Sequence, residues 1–139
     1  MCGIAAIMFK RGPGEVGAAV CRMLVSLQHR GPDSSGYALY GSRGGGAGKY
    51  VIRVKLEEPQ AIGAERARAL GVQREEMLET IAGLGGRVVK QQAFLDYALR
   101  LVVEYAGEVK AFVQAVEGTG VEITSLGRSM ELVKDVGLA

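Results

Sequence analysis

Behind Met1-Cys2 the chain opens with an unbroken apolar run, Gly3-Ile4-Ala5-Ala6-Ile7-Met8-Phe9, which stops at Lys10-Arg11-Gly12-Pro13-Gly14. A run of this length closed by Gly and Pro reads as a strand buried on both faces. From Glu15 the period changes. Val16, Ala19, Val20, Met23, Leu24 and Leu27 recur at three- and four-residue spacing, which predicts an amphipathic helix to about His29 with Glu15 at its positive end. Gly31-Pro32 stops it. A strand turned back onto a helix packs the two together and returns His29–Gly36 to the neighbourhood of Cys2.

Cys2 brings chemistry to that beginning. Once Met1 is removed, Cys2 is the amino terminus and holds a thiol and an α-amine on one residue. A free α-amine titrates at about 7.7–8.0 in reference peptides, so near neutrality a useful fraction of it is an unprotonated base. The thiolate is the nucleophile, and a base on the same residue can generate it. Gly3 adds no side chain beside the sulfur. Taken alone, Met1-Cys2-Gly3-Ile4 is equally compatible with a small buried Cys on a first strand. Cys21, within the helix, reads as an inert core Cys.

The second stretch adds what the first lacks. Met1-Cys2-Gly3-Ile4 followed by Leu27-Gln28-His29-Arg30-Gly31-Pro32-Asp33-Ser34-Ser35-Gly36 resembles the class II glutamine amidotransferases. These are the N-terminal-nucleophile (Ntn) hydrolase domains of glutamate synthase, amidophosphoribosyltransferase and asparagine synthetase. The tail from Ser125 to Gly137, with Gly127, Met130, Lys134 and Val136 in place, is similar to a run found in the glutamate-synthase-like branch. The resemblance implies an α+β fold, an Ntn-like αββα sandwich, of which residues 1–139 form the N-terminal portion and leave the sandwich incomplete. It implies Cys2 as the catalytic nucleophile, Arg30 and Gly3 in support beside it, and His29, Gly31, Pro32, Asp33 and Gly36 as loop-shaping residues. Arg30 has a second reading, as a helix cap paired with Asp33. His29, the one imidazole, suggests a Cys-His dyad, but the family's base is the amine, so His29 is expected to fix the turn. Glutamine is the implied substrate, no cofactor or metal is called for, and a synthase domain or subunit that accepts ammonia is the implied partner.

Later landmarks of the family are not found. They are a His-Thr-Arg-x-Ala-Thr-like strand, whose Arg grips the substrate carboxylate, and an Asn-Gly pair that forms the oxyanion hole. No His follows His29, and the chain contains no Asn. Losing one oxyanion donor costs about 2.7–4 kcal/mol in activation free energy. The expectation is therefore a chain that holds the nucleophile but is inactive by itself. It reads as a truncated product, as half of a split domain completed by a second chain, or as a degenerate scaffold. An incomplete sheet favours a partner chain or an oligomer. The alternative function is a non-catalytic assembly subunit that docks on a synthase through the same fold start.

Composition narrows the rest. A chain of 139 residues suits one domain, and a net charge of +2 gives no argument for nucleic acid or a membrane surface. Two Cys and one His provide neither a disulfide framework nor a metal quartet. With no targeting signal and no long apolar run, the expected location is a reducing cytoplasm.

Further along, Tyr37–Tyr40 and Tyr50–Leu56 read as strands joined by a Gly-rich hairpin loop, Gly41–Lys49. That loop is a poor phosphate-binding loop, because Arg43 replaces its first Gly, Tyr50 replaces its Ser/Thr, and a strand follows. Residues 60–71 and 75–82 predict two helices, with Ala61, Ile62, Ala64, Ala67 and Leu70 as apolar contacts of the first. Gln91–Tyr105, with Phe94, Leu95, Ala98, Leu99, Leu101, Val102 and Tyr105, predicts the longest helix, capped by Gly107. Val109–Val116 fits helix or strand, and Val121–Ser125 a strand.

Overall fold

The computed structural model describes residues 3–11, 14–30, 34–41 and 48–136. The fold is α+β. Its elements are α1 (Val16–Leu27) with a 3-10 turn (Gln28–Arg30), β1 (Ser34–Tyr40), β2 (Lys49–Lys55), α2 (Gly63–Gly83), β3 (Arg87–Leu95), β4 (Ala98–Glu104), α3 (Val109–Glu117), β5 (Glu122–Gly127) and β6 (Met130–Val136). β1 pairs with β6 in a two-stranded sheet, and the other four strands form a sheet in the order β3-β4-β2-β5. The chain divides into two compact units, residues 1–37 with 134–139, and residues 38–133.

In the first unit, α1 takes the predicted course. Val16, Ala19, Val20, Met23, Leu24 and Leu27 are its half-buried positions, and Cys21 is exposed, not core as expected. Its place at two residues before Met23 puts it on the polar side of the stripe. The opening run departs from expectation more sharply. Residues 3–9 join no strand ladder among the described residues, and Ile4 and Met8 are 92% and 81% exposed. Gly3, Ala5 and Ile7 are half-buried and Ile4, Ala6 and Met8 exposed, so this is an extended segment covered on one side. Unbroken hydrophobicity identifies burial on both faces only where neighbouring strands exist to supply it. Gly3 does lie on the helix end, since a Cβ there would come within 3.0 Å of the Leu27 Cβ.

The second unit is a β-α-β-β-α-β arrangement. β2, α2 and β3 form one crossover, β4, α3 and β5 the second, and β4 inserts between β2 and β3, antiparallel to both. This is the split-βαβ, ferredoxin-like arrangement. Its core lies between the sheet and the two helices. Ile52, Val54 and Leu56, with Leu99, Leu101 and Val103, meet Leu70, Met77 and Ile81 of α2 and Phe112 and Val116 of α3. Period-two alternation in β2 and β4 puts these residues on one face and Arg53, Lys55 and Arg100 on the other.

Three predictions fail in this unit. The predicted helix over Gln91–Tyr105 is a hairpin, β3 and β4, turning at Asp96-Tyr97. β4 buries Leu99, Leu101 and Val103 on the helix side and also Val102 on the other, so its apolar residues satisfy helical spacing as well as alternation. Gly107 therefore caps no helix. The two predicted helices of residues 60–82 are one, α2, because Gly71 is tolerated inside it and a Cβ there would meet open space. Of its predicted apolar contacts Leu70 is buried, whereas Ile62 is 86% exposed. The predicted β1–β2 hairpin is absent, since the two strands belong to different sheets. Most of its loop, residues 42–47, lies outside the described residues.

Val109–Val116, ambiguous in sequence, is α3. Glu108 decides its start: its carboxylate accepts from the Lys110 and Ala111 amides at 2.9 and 2.8 Å. Both amides would otherwise be orphans of the first turn. We expect Glu108→Ala to lower the stability of this unit by about 1 kcal/mol, read as a shift of its urea midpoint with unchanged slope.

Candidate functional site

The residues that the sequence nominates gather at the start of the chain, and the structure describes only some of them. Cys2, Gly31, Pro32 and Asp33 lie outside the described residues. His29 and Arg30 end the 3-10 turn that continues α1, and both are exposed. Gly36 is an exposed residue of β1. Gly3, next in sequence to Cys2, sits against Leu27, two residues before His29. The helix end and the residue after the proposed nucleophile are thus neighbours within the first unit.

A second constellation was missed in the sequence. Arg53 of β2 and Arg100 of β4 stand directly opposite each other on the helix-free face of the four-stranded sheet. Glu131 of β6 lies between them. Its Oε1 accepts from Arg53 Nε at 2.5 Å and from Arg100 Nε at 2.9 Å, and its Oε2 accepts from Arg100 Nε at 3.1 Å. The three side chains are 18%, 12% and 10% exposed. Ser125, opposite Arg53 on β5, accepts from the Leu132 amide at 2.9 Å and fixes the course of β6 there. The signal that was available is Arg53 inside Tyr50-Val-Ile-Arg-Val, a cation in an otherwise apolar stretch. Arg100 was hidden by its assignment to a helix.

Burial alone would raise the Glu131 pKa. The Arg100 hydrogen bond and the Arg53 charge outweigh it, so the carboxyl is held below the ordinary glutamate value. The sign follows: a folded-state pKa below the unfolded one gives stability that is present above about pH 4.3 and is lost as pH falls through the folded value. Denaturant midpoints measured at pH 7 and pH 3 should fall on acidification, and Glu131→Gln should reduce that dependence. An unchanged pH dependence in Glu131→Gln would mean that Glu131 is not the group responsible. The Glu104 carboxylate, beside Arg87 and Lys49, and Asp96, beside Arg66, are also lowered, but these pairs lie at the surface and contribute little.

Enclosed space is scarce. Among the described residues, a recess against the core at Tyr105 and Phe112 encloses about 0 Å³ and one beside Leu39, Val51 and Met130 about 20 Å³, far below the roughly 300–1,000 Å³ of small-molecule sites. Among the described residues no group of three His, Cys, Asp or Glu could hold a metal ion, and no helix is long and apolar enough to cross a membrane.

Comparison with known proteins supplies what the geometry does not. Over 141 residues the chain is 31% identical to a protein of Methanothermobacter thermautotrophicus named "Putative glutamine amidotransferase", with 99% of this chain and 44% of that protein covered. It is 30% identical over 140 residues to the "Glutamine amidotransferase-like protein GlxB" of Rhizobium meliloti, covering 99% of this chain and 42% of that protein. The chain thus spans less than half the length of either relative. No family model matches it. No solved structure matches it. Nearly every residue of the chain is aligned in both comparisons, so its similarity is to part of two proteins named as glutamine amidotransferase or glutamine amidotransferase-like.

Proposed function

We propose that residues 1–139 are the front part of a class II glutamine amidotransferase domain with Cys2 as its nucleophile. The observation that carries this is an alignment that spans the chain together with the motif residues it contains. The chain aligns along 99% of its length with glutamine amidotransferase-like proteins, and it carries Met1-Cys2-Gly3-Ile4 and Gln28–Gly36 at its start. Loss of Met1 frees the Cys2 amine. The amine takes the thiol proton, directly or through one water, and the thiolate attacks the side-chain amide carbon of glutamine. The tetrahedral intermediate collapses, the C–N bond breaks, and the proton held by the amine leaves with ammonia. Water then cleaves the γ-glutamyl thioester to glutamate and regenerates the thiol.

Arg30 is the proposed supporting residue, where a guanidinium favours the thiolate over the thiol. His29, Gly31, Pro32, Asp33 and Gly36 shape the turn that brings it there. With no Asn and no His after His29 in this sequence, the oxyanion pair and the carboxylate-gripping arginine are supplied by other residues of the complete site. The Ntn-like sandwich, a glutamate-synthase-like ammonia acceptor and a cytoplasmic location belong to the same reading. Arg30→Gln tests the supporting role. It should slow thioester formation about tenfold or more and move the alkaline limb of the labelling pH profile of Cys2 upward. An unmoved profile would leave Arg30 a purely local role at the helix end.

A further inference from the structure

We propose that Arg53 and Arg100 form a receptor for a small carboxylate anion on the helix-free face of the second unit. Glu131 engages only the Nε edge of each guanidinium. The terminal Nη groups of both have no acceptor among the described residues, yet no side-chain nitrogen in the structure is both enclosed and unpartnered. Those Nη groups therefore keep access to solvent while Glu131 accepts from the Nε of each arginine. Two guanidiniums against one carboxylate leave an uncompensated positive charge. Lys90 stands on the same face two residues along and adds to the field, whereas Lys55, two residues to the other side, faces Glu122 on β5.

Paired guanidiniums on opposing strands present planar, charge-assisted donors that match a carboxylate. One wall favours a ligand with a short carbon chain. Phe94, 51% exposed, has its ring 4.8 Å from the Arg53 guanidinium carbon, so a methylene stem can lie on it while the carboxylate meets the arginines. The side-chain amide of Gln92, directly across from Arg100 on β3, is exposed and available as a further donor. The ligand class is a small aliphatic mono- or dicarboxylate.

The test is a nuclear magnetic resonance titration of the full chain with sodium glutarate at constant ionic strength, following the Arg53 and Arg100 Nε–H signals and the Ser125 amide. Saturable shifts are expected in the wild type, with affinity raised about tenfold by Glu131→Gln, which removes the competing negative charge, and abolished by Arg100→Gln. Phe94→Ala retains every charge and should weaken glutarate while leaving acetate unchanged. Shifts that stay linear in concentration, or that chloride reproduces, overturn the proposal. Tighter saturable binding of inorganic phosphate than of glutarate overturns the carboxylate assignment. If Arg100→Gln does not fold, the comparison of wild type with Glu131→Gln decides, and equal affinity in the two counts against the site.

Discussion

On the proposed amidotransferase reading, Cys2→Ala is expected to abolish glutamine-dependent activity of the complete protein, by about four orders of magnitude or more, while synthesis from added ammonia survives. The size follows from the role: removing a nucleophile whose partners act as a unit costs nearly all of the catalysis the unit provides. The expected survival of ammonia-dependent synthesis follows from the proposed separation of ammonia release from ammonia use. Both rates are measured on the same preparation, so a general loss of folding is seen as a loss of both. A docking subunit that merely shares the fold start would tolerate Cys2→Ala in both assays, and that outcome would remove the enzymatic reading. The variant is informative even though the structure does not describe Cys2, because it leaves the Gly3–Leu27 contact untouched.

Phe112→Ala should be the most damaging single substitution in the second unit, at about 3–5 kcal/mol. Phe112 is 2% exposed, its ring centroid lies 4.8 Å from that of Tyr105, and it joins α3 to the sheet through the shared core. Truncation removes a large buried apolar area and leaves a cavity that rigid neighbouring strands cannot close. A unit of this size has only about 5–15 kcal/mol of stability in total, so the loss is a large share of it. Equilibrium unfolding of the full chain in urea measures the change. Val72→Ala, at a position of α2 that is 58% exposed, is the control and should change stability by no more than about 0.5 kcal/mol. Comparable effects at the two positions would mean that the assigned core is wrong.

What could be read in the sequence depended on which signals have one physical meaning. The α1 stripe has one: Val16 to Leu27 repeats at helical spacing over three turns, and the same six residues are the half-buried ones. β2 was legible because Tyr50–Leu56 alternates between Pro- and Gly-marked ends. Gln91–Tyr105 was not, because burial on both sides of β4 erased the alternation that distinguishes a strand. The strand pairing of β1 with β6, across most of the chain, has no local signal at all. For the candidate site, the expectation of a nucleophile at Cys2 rests on its position behind Met1 and on the Gln28–Gly36 stretch, and Cys2 itself lies outside the described residues. The Arg53–Glu131–Arg100 cluster was not, since its members come from three strands whose order only the fold reveals.

The exposure of Cys21 bears on how a nucleophilic Cys2 is tested, because a thiol at the surface can compete for an electrophile. The measurement is the intact mass of the protein before and after reaction with a glutamine-mimicking electrophile, alone and with the remainder of the amidotransferase site present. The expected result is a mass lacking Met1 and a single adduct, on Cys2, that requires the complete site and is absent in Cys2→Ala. Retention of Met1 with no adduct under any condition, or an adduct that persists in Cys2→Ala and maps to Cys21, would contradict it.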